Sequence, residues 1–104
     1  MKPVITFLLL LVVSLALYLH YSERFAYFNG IVYQKIGWDG ESAEMFEKGC
    51  EAKNVRSCVE LGRMYEEGDG VDTNLSKSAA LYQKALELGY LPAKEHVQRL
   101  ETAR

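Results

Sequence analysis

The side chains of this 104-residue chain best suited to covalent or metal chemistry are Cys50, Cys58, His20 and His96. His20 lies at the end of a long apolar run, and His96 follows 76 residues later. Neither stands in a recognisable pattern with a cysteine, serine or carboxylate, so surface roles are expected for both. No histidine is near either cysteine and no Cys-x-x-Cys pair occurs, which argues against a metal site. Asp69, Asp72 and Asn74 have the wrong spacing for a calcium loop, and no glutamate occupies its twelfth position. A loop closed by a helix N-cap at Asn74 is the expectation. No phosphate-binding glycine loop is present. No lysine follows a serine by three residues, which removes the Ser-x-x-Lys nucleophile. Asn74-Leu75-Ser76 fits the glycosylation sequon but is read as capping chemistry. No catalytic residue, metal or cofactor is expected.

What remains is a helix face. Arg56, Glu60, Arg63 and Glu67 recur at spacings of four, three and four, along one side of a helix over 55–67. An offset of 36 residues places His96 and Arg99 beside Glu60 and Arg63. One reading is a solvated face of alternating ion pairs, each worth a few tenths of a kcal/mol. The other is a protein-docking surface anchored by Arg63 and Arg99, with Tyr27 or Tyr33 beside them.

The elements that would position these residues begin with Val4–Tyr21, 18 residues without a formal charge apart from a proton on His20. As a helix this run reaches about 27 Å, close to the hydrocarbon thickness of a bilayer. It is apolar on every face, in a chain too short to surround it. Two uses fit: a signal anchor, or a signal peptide cleaved near Ala16 after Ser14-Leu15-Ala16. The continuation through Leu17, Tyr18, Leu19 and Tyr21 favours the anchor. Tyr18, Tyr21, Phe25, Tyr27 and Phe28 would then mark the outer interface. Lys2, opposed by Glu23 and Arg24, weakly favours a cytoplasmic N-terminus. Beyond Ser22, 11 Lys/Arg stand against 14 Asp/Glu, interspersed, without the basic stripe that nucleic acid requires.

The remaining chain repeats itself. At an offset of 36, Ser42-Ala43-Glu44-Met45-Phe46-Glu47-Lys48-Gly49 falls on Ser78-Ala79-Ala80-Leu81-Tyr82-Gln83-Lys84-Ala85. Helical stripes run through Cys58, Leu61, Gly62 and Tyr65, through Ala79, Tyr82 and Ala85, and through Ala93, Val97 and Leu100. Glycines and capping residues delimit helices near 23–35, 41–50, 55–67, 76–88 and 92–102. Small residues (Gly30, Ala43, Gly49, Gly62, Ala79, Ala85, Ala93) stand where helices would cross closely.

Leu61-Gly62-Arg63-Met64-Tyr65-Glu66-Glu67-Gly68-Asp69-Gly70-Val71, followed by Lys77-Ser78-Ala79, Tyr82-Gln83-Lys84-Ala85 and a closing Gly89, resembles a Sel1-like repeat. The resemblance implies an all-α chain: a short α/α solenoid of about two Sel1-like, TPR-like repeats plus a capping helix, after one N-terminal hydrophobic membrane helix. The expected division is 1–21 signal anchor or signal peptide, 22–54 degenerate first repeat, 55–91 Sel1-like repeat and 92–104 capping helix. The first unit should have a loop about four residues shorter. In such stacks the first helices line the concave side, where partners dock.

Seven residues separate Cys50 from Cys58, at the end of one helix and the start of the next. Two buried thiols or a disulfide both fit; the same spacing in exported cysteine-rich Sel1 proteins, and an export segment here, favour the bridge. The function this implies is a membrane-anchored or periplasmic module that binds another protein, and not an enzyme. Its two expected forms are an immunity or inhibitor protein against an envelope-acting toxin and an adaptor of an envelope complex. The alternative is an envelope hydrolase or β-lactam-binding enzyme of the cysteine-rich type. The expected location is the inner membrane, single-pass, with the C-terminal domain in the periplasm, or the soluble periplasm after cleavage. The expected binding residues are Arg56, Glu60, Arg63, Glu67, His96 and Arg99.

Overall fold

The computed structural model describes residues 2–103, with the backbone alone for 22–24. Arg104, and the side chains of Glu23 and Arg24 on which the weak topology argument leaned, lie outside the described residues. Six helices and no strand are present among the described residues: α1 (Lys2–Arg24), α2 (Ala26–Lys35), α3 (Asp39–Glu51), α4 (Val55–Glu67), α5 (Leu75–Glu87) and α6 (Ala93–Ala103).

Helix α1 carries the apolar run, and its stretch Lys2–Tyr21 is long and apolar enough to cross a membrane. None of that stretch is buried against the rest of the chain, so its length and composition suit either an anchor or a signal segment. The helix expected near 23–35 begins at Ala26, because α1 runs on to Arg24. Phe25, at φ −95° and ψ 4°, leaves helical geometry and separates α1 from α2. Backbone bonds still cross the junction, from Phe25 N–H to Tyr21 O at 2.9 Å and from Asn29 N–H to Phe25 O at 2.8 Å.

Helices α2 to α6 pack in sequence, each against the next, with α2 also touching α4. Hairpins α2–α3 and α4–α5 share one packing scheme. Ser42 donates its hydroxyl to Gly30 O at 2.8 Å, and Ser78 donates to Gly62 O at 2.6 Å. Phe46 lies over Gly30 as Tyr82 lies over Gly62, because a helix position without a Cβ lets an aromatic ring approach the backbone there. The loop 36–38 in the first hairpin replaces the loop 68–74 of the second, four residues shorter as expected.

The core forms two buried clusters. One joins Cys50, Cys58, Ala79, Tyr82, Ala85, Ala93, Val97 and Leu100; the other joins Ala43, Phe46, Leu61 and Met64. All three apolar stripes read from the sequence point inward, with Tyr65 half-buried at the edge. Burying a ring such as Phe46 or Tyr82 contributes roughly 1.5–3 kcal/mol, so these two residues hold their hairpins closed. Cys50 and Cys58 are bonded to each other across the turn between α3 and α4, with Cα atoms 4.6 Å apart.

Candidate docking site on the α4 face

Helix α4 is fixed at both ends by its own sequence. The Asn54 side chain accepts from Ser57 N–H at 3.1 Å and caps its start, and Gly68, left-handed at φ 73°, ends it. The chain then returns: Asn74 N–H donates to Tyr65 O at 2.8 Å, and the Asn74 side chain caps α5 through Lys77 N–H at 3.0 Å. Gly70, at φ 75°, passes so close to the backbone of Asp39 that a Cβ there would overlap it. The expected N-cap at Asn74 is thus present, and the loop before it is tied to α3.

With its apolar stripe facing the core, α4 turns Arg56, Glu60, Arg63 and Glu67 outward. Arg63 is clasped within its own element, to Glu67 at 2.7 Å and Glu60 at 3.3 Å, with Asp69 at 3.7 Å. Burial opposes its charge, but the two glutamates outweigh that and raise its pKa further. Arg99 reaches from α6 to Glu66 of α4, and its guanidinium also meets His96 Nδ1 at 3.0 Å. Arg99 of α6 thus meets α4 at Glu66, one turn along the helix from Arg63.

Glu66 escaped the sequence reading and proves to be the junction of three helices. It accepts the Tyr82 hydroxyl at 3.1 Å, while His96 stacks on the Tyr82 ring with centroids 4.5 Å apart. The hydrogen bond from Arg99 holds the Glu66 carboxyl below its usual range, against desolvation. Burial, and then the Glu66 charge, pushes the Tyr82 hydroxyl well above its ordinary pKa, which keeps it a proton donor. The signal for Glu66 was its spacing of four from Gly62: a ring lying over Gly62 ends one turn further along α4.

Arg56 is placed differently. It is exposed, with no ion pair among the described residues, and borders a hollow of about 330 Å³ lined by Tyr27, Arg56, Val59, Glu60 and Tyr90. A second hollow of about 340 Å³, between Val55, Arg56, Leu88, Gly89 and Tyr90, shares Arg56 and Tyr90 with the first. Of the two tyrosines expected as helpers, Tyr27 is half-buried with its ring 5.9 Å from Phe46 and lines the first hollow, whereas Tyr33 stacks on Trp38 and lines neither. Tyr90 had not been singled out; it follows Gly89, whose left-handed φ of 102° turns the chain out of α5. Among the described residues no three His, Cys, Asp or Glu side chains converge as a metal site. The two hollows together offer one cation (Arg56), one carboxylate (Glu60), the rings of Tyr27 and Tyr90 and the aliphatic side chains of Val55, Val59 and Leu88.

Residues 55–90 match the Sel1 repeat family, covering α4, the connecting loop, α5 and the turn to Tyr90. The chain carries a Sel1 repeat. Such repeats are typically non-catalytic interaction modules, and both hollows border the first helix of this Sel1 unit. Over 50 residues the chain is also 42% identical to a protein described as cytochrome c oxidase assembly factor 7 homolog, from Drosophila melanogaster. That match covers 47% of this chain and 18% of the relative, so the chain spans less than a fifth of that protein's length.

Proposed function

We propose that the protein is a membrane-tethered adaptor that holds one protein partner against the α4 face of its Sel1 unit. The observation that carries this reading is Arg56: an exposed guanidinium with no ion pair among the described residues, lining one hollow with Tyr27, Val59, Glu60 and Tyr90. A partner segment presenting a carboxylate to Arg56 and an apolar side chain to Val59 and the two rings satisfies these groups at once. Arg63 and Arg99, already neutralised by Glu60, Glu67 and Glu66, shape the rim with His96 and keep the carboxylates from repelling that segment.

In this reading α2–α3 is a shortened unit of the same kind, and α1 remains attached as a single-pass anchor. The disulfide supports a domain on the oxidising, periplasmic side of an inner membrane. The adaptor form is preferred to a toxin inhibitor because the Drosophila relative is described as an assembly factor. Enzymatic roles are set aside in this proposal, since two polar clusters, Glu66–Tyr82–His96–Arg99 and Arg63–Glu60–Glu67–Asp69, are spent on mutual pairing.

Affinity purification of the full chain from detergent-solubilised membranes tests the reading. A stoichiometric partner retained by the wild type and lost with Arg56→Glu supports it. Equal recovery with both proteins, or substrate turnover by the purified chain, overturns it.

A further inference from the structure

Helix α2 has two unlike sides. Ala26 and Gly30 are buried, with Gly30 against Phe46, and Tyr27 and Ile31 pack at the edge of the same cluster. The opposite side is apolar and open: Phe25, Phe28, Val32 and Ile36 are 52%, 62%, 41% and 54% exposed, and Trp38 just beyond is 56% exposed. At spacings of three, four and four these residues form one helical stripe. The stripe is not isolated, because Tyr18 and Tyr21 of α1 extend it backwards at the same period. Tyr21 and Phe25 stack, and a hollow of about 460 Å³ lies among Tyr18, Tyr21, Phe25, Phe28 and Asn29 across the junction.

Charge sets this segment apart from everything that follows. Residues 25–38 contain no Asp or Glu and one cation, Lys35, whereas every acidic residue except Glu23 lies from Asp39 onward. An acidic surface is repelled by anionic headgroups; a stripe of Phe, Val, Ile and Trp with a lysine at its end is not. The helical geometry is interrupted at Phe25, yet backbone bonds cross the junction and the apolar face continues from one helix to the next.

We propose that the outer stripe of α2 rests on the bilayer, in the headgroup zone of the leaflet from which α1 emerges. The occupant of the stripe is phospholipid. This rests on α1 being retained in the membrane. It adds that the Sel1 unit is not free on a stalk but is held against the surface by Phe25, Phe28, Val32, Ile36 and Trp38.

Trp38 is the sole tryptophan, so the full chain carries its own probe. The protein is reconstituted in phosphatidylcholine–phosphatidylglycerol vesicles, as wild type and as the Phe28→Trp/Trp38→Phe variant, with and without brominated acyl chains. The expected result is a blue-shifted emission from both positions, at least twofold quenching by the brominated lipid and protection from aqueous iodide. Emission typical of water and free access to iodide at both positions overturn the proposal. Lipid quenching at position 28 with position 38 in water reduces the stripe to the end of α1 and also overturns it. Protection from iodide without lipid quenching means that protein, such as a second copy, covers the stripe, and overturns it too. Extraction by alkaline carbonate separates the two claims. Release from the vesicles refutes the anchored reading and this inference together, whereas retention with water-exposed probes refutes this inference alone.

Discussion

Ser78 donates its hydroxyl to the carbonyl of Gly62 at 2.6 Å where α5 crosses α4. One turn on, the Tyr82 ring lies over Gly62 and donates its hydroxyl to Glu66. Ser42 and Gly30 make the same bond in the first hairpin, with Phe46 as the ring. Phenylalanine has no hydroxyl, so the first hairpin cannot build the polar junction that the second one has.

The two glycines should differ in tolerance. A Cβ on Gly30 would come within 2.6 Å of the Phe46 ring, but one on Gly62 only within 3.2 Å of Tyr82. Gly30→Ala should therefore cost about 1–3 kcal/mol by overpacking, and Gly62→Ala clearly less. Thermal unfolding of the full chain in detergent, followed by circular dichroism, checks the order; a larger loss at Gly62 would contradict this account of the packing.

The Cys50–Cys58 bond closes a short loop at the edge of the larger buried cluster. By the chain-entropy model, replacing both cysteines by alanine should cost about 2–3 kcal/mol. In so small a domain that shifts the midpoint by well over 5 °C, at roughly 4–8 °C per kcal/mol. Alkylation of denatured, unreduced protein from its native compartment should modify neither cysteine, and labelling of both would show that the bond does not form there.

Glu66 makes stability depend on pH with a defined sign. Its carboxyl is held below the ordinary value of 4.5, so the unfolded chain takes up the proton more readily than the folded one. The contribution is present in full above that ordinary value and is lost as pH falls through the lower, folded value. Wild type and Glu66→Gln should differ most at neutral pH and converge under acid. Melting temperatures measured from pH 7 down to pH 3 follow this; a gap that stays constant would place the effect in packing and not in charge.

Charge reversal at the two arginines of α4 should separate docking from folding. Arg56→Glu touches no ion pair among the described residues, so stability should change by less than about 0.5 kcal/mol, while partner affinity falls at least tenfold, as reversal at a docked anchor requires. Arg63→Glu instead crowds a fourth carboxylate among Glu60, Glu67 and Asp69 and should lower the melting temperature. Calorimetric titration with the purified partner, beside melting curves of both variants, distinguishes the two effects. Arg63→Gln that abolishes binding with Arg56→Glu fully active would move the anchor to Arg63.

The sequence by itself determined the helices, the hairpin repeat, the inward stripes and the N-cap at Asn74, because each is written in short-range spacing. A period of 3.6, a capping side chain or a 36-residue offset needs only neighbouring positions to be legible. The pairing of Cys50 with Cys58 was half legible: the spacing allowed it, but a buried thiol pair fitted as well until the α3–α4 turn brought the Cα atoms together. A boundary between the apolar segment and the next helix was legible near residue 22, but its exact place at Phe25 was not, since no proline or glycine marks it and the backbone bonds run on through it.

Which arginine stands free could be decided only in three dimensions. The pairing of Arg63 with Glu60 and Glu67 was legible in spacings of three and four, but Arg56 also stands at such a spacing from Glu60 and makes no ion pair among the described residues. The fold adds Asp69 to Arg63, brings Glu66 to Arg99, and places Arg56 in a hollow lined also by Tyr27 and Tyr90. Long-range partners decide electrostatic state, because a charge interacts with what is near in space whatever its distance in sequence.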